Sequence, residues 1–242
     1  MIVAAHQPAF LPWLGYLDKL AKADLFVVMD DLQYEGQNFQ NRQRVKLAGG
    51  AAWLTVPLVR GPQGERICDK RIDNAGSPRH HWQRRAWRTL ETSYGRAPYF
   101  WAYADELRSL FERPWQSLVE LDLHVLELAR RWLAIKTPIL RASTLGLVGH
   151  KTDRLIELCR KVGARAYLSG SGGSAGYLDA EAMARSGIGV IWQSFAHPVY
   201  PQRYPERGFV SHLGFVDLVL NCGPASRDLL FDRTHPLRAE AG

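Results

Sequence analysis

A histidine and a glutamine close a short apolar run at the start of the chain: Ile2-Val3-Ala4-Ala5, then His6-Gln7-Pro8. The run reads as a buried strand. Pro12 follows at a position suited to the first turn of a helix. Leu14, Leu17 and Leu20 then recur at helical spacing, with Asp18, Lys19 and Lys22 between them. A histidine at the carboxyl end of a strand, where open α/β sheets bind ligands, is a candidate general base near neutral pH. Gln7, Trp13 and Tyr16 would bind substrate beside it. The competing reading is a His6 ring that bonds a carbonyl group and locks the turn.

Further candidates lie downstream. Asp30-Asp31 ends a second apolar run and could orient His6, bind an amine, hold Mg²⁺, or cap the next turn. Gln33, Asn41, Arg42 and Lys46 follow. Arginine and lysine suit phosphate or carboxylate recognition, and the alternative is a solvated ribbon face. The segment Tyr167-Leu168-Ser169-Gly170-Ser171-Gly172-Gly173 runs from strand into a glycine-rich turn whose N–H groups could hold an anion or oxyanion. It carries no Walker lysine. Tyr177 and Asp179 come next, and Asp179 also reads as a helix start. His197 and Gln202 lie in a proline-rich aromatic loop expected to line a pocket. Cys222 could act as an acyl-accepting nucleophile with His6 as its base, or be a buried structural thiol.

These residues need a scaffold, and 242 residues suffice for a substantial core. Residues 2–5, 25–30, 139–143, 166–168 and 188–192 read as strands, and 12–22 and a segment from Lys151 to Gly163 as helices. This alternation predicts a parallel, Rossmann-like α/β sheet with helices on both faces. We expect one domain over 1–231, with a β-rich insertion at 33–75 carrying an antiparallel ribbon, a helical insertion at 78–135, and a tail at 232–242. Within the latter insertion the helices are expected at 78–94, 98–112 and 115–135, with Pro78 and Pro114 as start signals. Val216–Leu220 reads as a final short helix.

Three scattered cysteines fit a reducing compartment. No signal peptide and no run near ~20 apolar residues is present, so a cytoplasmic protein is expected. The net charge of +7 permits an acidic partner. Arg79, Arg84, Arg85 and Arg88, interleaved with Trp82 and Trp87, read either as a solvated helix face or as a surface for phosphates or an acidic carrier. No nucleic-acid module is recognisable, and no zinc spacing is present.

The N-terminal pattern HQPxFxPWxGYxxK, with Ala23–Tyr34, Asn41–Lys46, Trp53–Pro57, Arg71–Asn74, Ala97–Phe100, Tyr167–Gly173, Tyr177–Asp179, His197–Gln202 and Leu220–Pro224, resembles the WbqC-like proteins across nearly the whole chain. These occur with bacterial O-antigen and surface-polysaccharide biosynthesis. The resemblance implies transfer of an amino acid such as glycine, or another acyl group, during polysaccharide assembly. The α/β pattern also resembles the nucleotidyltransferase-type fold. Trp13 and Tyr16 stand where those enzymes carry the two histidines of HxGH, so the fold analogy is stronger than the adenylyl-transfer analogy.

The resulting expectation is an acyl or aminoacyltransferase acting on an amine, such as that of a nucleotide-linked amino sugar. The donor would be an acyl or aminoacyl thioester, on an acyl or peptidyl carrier protein or another carrier, or the reaction would use a nucleotide. His6 would be the base, with Asp30 or Asp31 orienting it. The Ser169 turn would form the oxyanion site, and Arg42 and Lys46 would hold phosphate. The alternatives are an ATP-dependent ligase and a non-catalytic sugar-nucleotide or carrier-protein binding module.

Overall fold

In a computed structural model, the chain is described for residues 1–75, 81–170, 176 and 178–232. It groups into two compact units. Unit 1 comprises Met1–Pro8, Gly15–Leu32 and Ile135–Ala196; unit 2 comprises Ala9–Leu14, Gln33–Ala134 and the segment from His197 onward.

Unit 1 is built on a five-stranded parallel sheet. Its strands are β1 (Ile2–His6), β2 (Leu25–Val28), β5 (Ile139–Arg141), β6 (Ala166–Ser169) and β7 (Gly189–Trp192), in the spatial order β5-β2-β1-β6-β7. Helices α1 (Leu14–Ala21), α5 (Lys151–Val162) and α6 (Ala180–Arg185) flank it. β1 pairs in parallel with β2 and β6, so the central strand is hydrogen-bonded on both sides. That explains its run of small and branched apolar residues.

The alternation of β1 assigns its faces. Val3 and Ala5 join the core formed with Leu155, Ile156, Leu158 and Cys159 of α5 and Met183 of α6. Ala4 and His6 have the opposite parity, and the Tyr16 ring of α1 lies 4.8 Å from that of His6 and 5.3 Å from that of Phe26. The sheet is thus covered on both faces, the α/β arrangement expected from the pattern. α5 ends at Gly163, whose φ of 70° is the left-handed conformation a non-glycine residue resists.

Unit 2 holds the antiparallel ribbon of β3 (Arg42–Leu47) and β4 (Gly50–Thr55), and helices α2 (Trp82–Tyr94), α3 (Phe100–Glu112), α4 (Leu118–Trp132), α7 (Phe215–Cys222) and α8 (Ser226–Phe231). The ribbon, residues 42–55, is shorter than the β-rich insertion expected over 33–75. The remainder is loop, tied by the isolated bridges Gln33–Arg66, Leu58–Ile72 and Arg71–Ser117. α2 begins at Trp82, and Pro78 and Arg79 lie outside the described residues. α8 follows closely on Gly223-Pro224, beyond the final short helix expected at Val216–Leu220. Gly223, with φ 54°, turns the chain tightly: a Cβ there would fall 2.3 Å from the Tyr99 ring.

Candidate functional site

The strand order reverses about β1: the chain fills positions to one side with β2 and β5, and to the other with β6 and β7. Such a reversal opens a crevice outside the carboxyl ends of the strands, where open α/β sheets take ligands. His6 ends β1 and Ser169 ends β6. Ala4 is paired with Leu168, so Ser169 is level with Ala5, one residue from His6. Val28 of β2 is paired with His6, and Asp30 follows two residues later. Unit 1 therefore brings His6, Gln7, Ser169 and Asp30 to one sheet edge.

Nδ1 of His6 lies 3.1 Å from the carbonyl oxygen of Gln7. A carbonyl only accepts, so Nδ1 carries the proton and Nε2 keeps its lone pair. The residue is solvent-accessible, yet enough protein surrounds the ring to penalise its charged form. This desolvation, helped by the Lys19 ammonium and opposed by the Gln7 hydrogen bond, lowers the His6 pKa to about 4. At neutral pH the imidazole is uncharged and can accept a proton.

Lys19 is the residue that sequence reasoning missed. It lies between the apolar positions of α1, and every residue from Leu14 to Leu20 is buried. The Lys19 Nζ donates to the Ala5 carbonyl at 2.8 Å and stands 5.8 Å from the centre of the Tyr167 ring. Desolvation lowers its pKa to about 8. Asp18 is buried beside it and accepts from Gln193 and Lys22, each at 2.8 Å. Only the mismatch of charged residues inside an otherwise apolar helix could have signalled this.

The acidic pair does not orient His6. Asp30 is fully buried and accepts from Arg141 Nε at 2.7 Å, from the Ser143 N–H at 2.9 Å and from the Ser143 hydroxyl at 2.8 Å. The side chain of Asp31 is ion-paired with Arg154. Both carboxylates thus anchor the segments after β5 rather than the imidazole. Asp179 caps α6, accepting from the Ala182 N–H at 2.9 Å. Ser169 is buried, with its hydroxyl 3.4 Å from the Gly170 carbonyl oxygen. Ser171, Gly172, Gly173 and Tyr177 lie outside the described residues.

The remaining candidates belong to unit 2. Lys46 is not a free phosphate ligand: it is buried, and Nζ donates to Gln202 Oε1 at 3.1 Å and to the Gly208 carbonyl at 2.7 Å. Gln202 and two tyrosines in turn serve the buried Asp217, which accepts from Tyr94 and Tyr200 at 2.8 Å and from Gln202 at 2.7 Å. Burial raises the Asp217 pKa against these bonds, and burial with the carboxylate beside them holds both phenols well above their ordinary range. Gln202 is therefore a strut of this network and not a pocket-lining group.

Asn41 is likewise inward, bonded to Tyr34 and to the Val56 carbonyl. Gln33 is exposed. The Arg42 guanidinium lies 4.2 Å from the Trp53 ring centre and also donates to the Gln37 carbonyl. His197 donates from Nδ1 to the Pro198 carbonyl at 2.8 Å and accepts at Nε2 from the His212 N–H at 3.1 Å. The His212 ring lies 5.4 Å from that of Trp13. His197 and Trp13 are thus members of an aromatic cluster.

Cys222 is buried, and desolvation followed by the Asp217 charge pushes its pKa up to about 12. A thiol held protonated is a poor nucleophile, which favours the structural reading of Cys222 over the nucleophilic one. Among the described residues no group of three or more His, Cys, Asp or Glu is placed to hold a metal, and no helix is long and apolar enough to cross a membrane.

The model of the WbqC-like protein family matches residues 7–229. The chain belongs to this family. It is also similar to a Mycobacterium tuberculosis protein described as uncharacterised, Rv1507c, with 32% identity over 231 residues that cover 94% of this chain and 96% of that protein. No solved structure matches. As a WbqC-like protein, the chain presents its HQP motif at the switch point of a parallel sheet, which gives the motif a physical place.

Proposed function

We propose that this WbqC-like protein transfers an acyl or aminoacyl group to the amine of a nucleotide-linked amino sugar at the carboxyl edge of the unit 1 sheet. The observation that supports the reading is a neutral, solvent-accessible His6 ending the central strand beside the switch point. The amine nitrogen attacks the donor's thioester carbonyl. As the C–N bond forms, the nitrogen becomes acidic and His6 Nε2 takes its proton. The C–S bond then breaks, and the leaving thiolate recovers that proton. A pKa of about 4 makes His6 a weak base, suited to a proton that turns acidic only as the bond forms. Attack is direct, since the Cys222 thiol is held protonated. Residues at the end of β6 stand near the developing oxyanion. The reaction is assigned to the cytoplasm, with a loaded carrier protein or small thioester as donor.

The test is turnover of acyl and aminoacyl thioesters with a panel of amino-sugar nucleotides, in the wild type and in His6→Gln. The variant keeps a hydrogen-bonding side chain but cannot take the proton, so the rate should fall about 10²–10⁴-fold at unchanged fold. Amide formation that requires ATP and releases pyrophosphate would favour the ligase reading. Saturable binding with no turnover of any donor would leave a binding module.

A further inference from the structure

Unit 2 contains a cleft of about 440 Å³ between β4, residues 73–75 and α2, a volume ordinary for a small-molecule site. We propose that this cleft binds a nucleoside phosphate, with the base stacked on Trp53, a ribose hydroxyl on Asp73 and the phosphate on Arg85. The inference concerns unit 2 alone and holds whether or not His6 proves to be a base.

Three features carry it. Trp53 lines the cleft with 46% of its surface exposed, although it is braced by Phe39 at 5.8 Å and by the Arg42 guanidinium at 4.2 Å. A half-exposed indole held in place by a guanidinium over its ring is a stacking platform on its open side, and any nucleobase offers it a π-face. Thr55 also lines the cleft, two residues along β4 and so on the same strand face.

The opposite wall is rigid. Trp82 is buried and donates from Nε1 to Asn74 Oδ1 at 3.2 Å, while Asn74 donates to the Trp115 carbonyl at 2.7 Å. Asn74 is therefore spent as a brace. Asp73 beside it accepts the Ala75 N–H on Oδ1 at 2.8 Å and makes no ion pair among the described residues. Its carboxylate remains an acceptor for hydroxyl groups.

Arg85 supplies the opposite charge. Trp82, Arg85, Ala86 and Thr89 share one face of α2 and line the cleft. Arg85 is exposed and makes no ion pair among the described residues. A guanidinium fork suits phosphate oxygens. A neutral pyranose could use Trp53 and Asp73 but would leave Arg85 without a role. A dicarboxylate could use Arg85 but would be repelled by Asp73. A base, a ribose and a phosphate together match all three.

Calorimetric titration of the full chain with AMP, GMP, CMP and UMP tests this, with uridine, ribose 5-phosphate, inorganic phosphate and a methyl pyranoside as controls. At least one nucleoside monophosphate should bind saturably and more tightly than any control. Trp53→Ala should weaken it about 5- to 150-fold. Arg85→Gln, an exposed change that leaves the fold intact, should weaken it about 10-fold and abolish the preference for nucleotide over nucleoside. Failure of all four nucleotides to bind would overturn the proposal. So would binding that survives both substitutions, or a methyl pyranoside that binds as tightly. Binding lost in His6→Gln but kept in Trp53→Ala would place the nucleotide at the unit 1 sheet edge and would equally overturn it.

Discussion

The Lys19 ammonium is bonded at 2.8 Å to the carbonyl oxygen of Ala5, the residue that precedes His6. A buried cation is thereby fixed under the strand end that carries the candidate base. Its charge is one of the causes that keep the imidazole neutral. Lys19→Met should therefore raise the His6 pKa from about 4 toward the ordinary histidine range, read by NMR titration of the imidazole. A His6 titration unmoved by the substitution would show that desolvation alone sets it.

The same lysine makes a stability prediction. Its folded pKa, about 8, lies below the ordinary 10.5, so the unfolded chain binds more protons between those values. Stability from this group is therefore lowest below pH 8 and rises as pH climbs from about 8 toward 10.5, by on the order of 3 kcal/mol. Lys19→Met removes that slope. Denaturant midpoints of the two proteins at pH 7.5 and pH 10 should differ in this sense, with the wild type gaining more on the alkaline side.

Asp30 should behave as a structural anchor. It is fully buried and bonds to Arg141 and Ser143. Asp30→Ala leaves the partly exposed Arg141 and the Ser143 donors without their acceptor, at a cost of about 1–3 kcal/mol. The His6 titration in whatever protein remains folded should match the wild type. A large displacement of that titration would restore Asp30 to the role of orienting His6.

How far the sequence exposes this architecture depends on how local the signal is. β1, α1 and β2 are legible because unbroken apolar runs and a Leu14–Leu17–Leu20 stripe declare them. The placement of His6 and Ser169 at one edge follows from both ending parallel strands. The inward turn of Lys19 is not legible, because its cause is a buried carbonyl on another element. Nor is the fate of Asp30, whose partner Arg141 is 111 residues away in sequence and reaches it only because β5 pairs with β2 in a register that matches Val28 with Arg141. Lys46 and Gln202 look like pocket residues until the burial of Asp217 draws them into its network. The glycine-proline step at Gly223-Pro224 hides α8, since the same pair more often ends a helix than joins two.

Cys222 should be chemically quiet. Its thiol is buried and held near pKa 12, so alkylation at pH 8 should reach Cys68, which is partly exposed, well before Cys222 or Cys159. Cys222→Ala should lower stability by about 1 kcal/mol through lost packing and leave turnover intact. Rapid labelling of Cys222, or loss of turnover in a folded Cys222→Ala protein, would return it to the mechanism.

The buried carboxyl of Asp122 in α4 has neither oxygen hydrogen-bonded, and desolvation raises its pKa well above 3.8. An acid with a raised folded pKa is favourable to folding below its unfolded value, and that advantage is lost as pH rises toward the folded value. At neutral pH the residue is a net burden, because the unfolded chain ionises freely while the folded chain must either keep the proton or bury a charge. Asp122→Ala removes the burden within a helix and suits helix propensity. The substitution should raise the denaturation midpoint at pH 7 and have less effect, or the reverse effect, near pH 4. The difference between variant and wild type should therefore widen steadily with pH above about 4. A variant destabilised equally at both pH values would show that Asp122 has a partner in solution and is ionised in the folded protein.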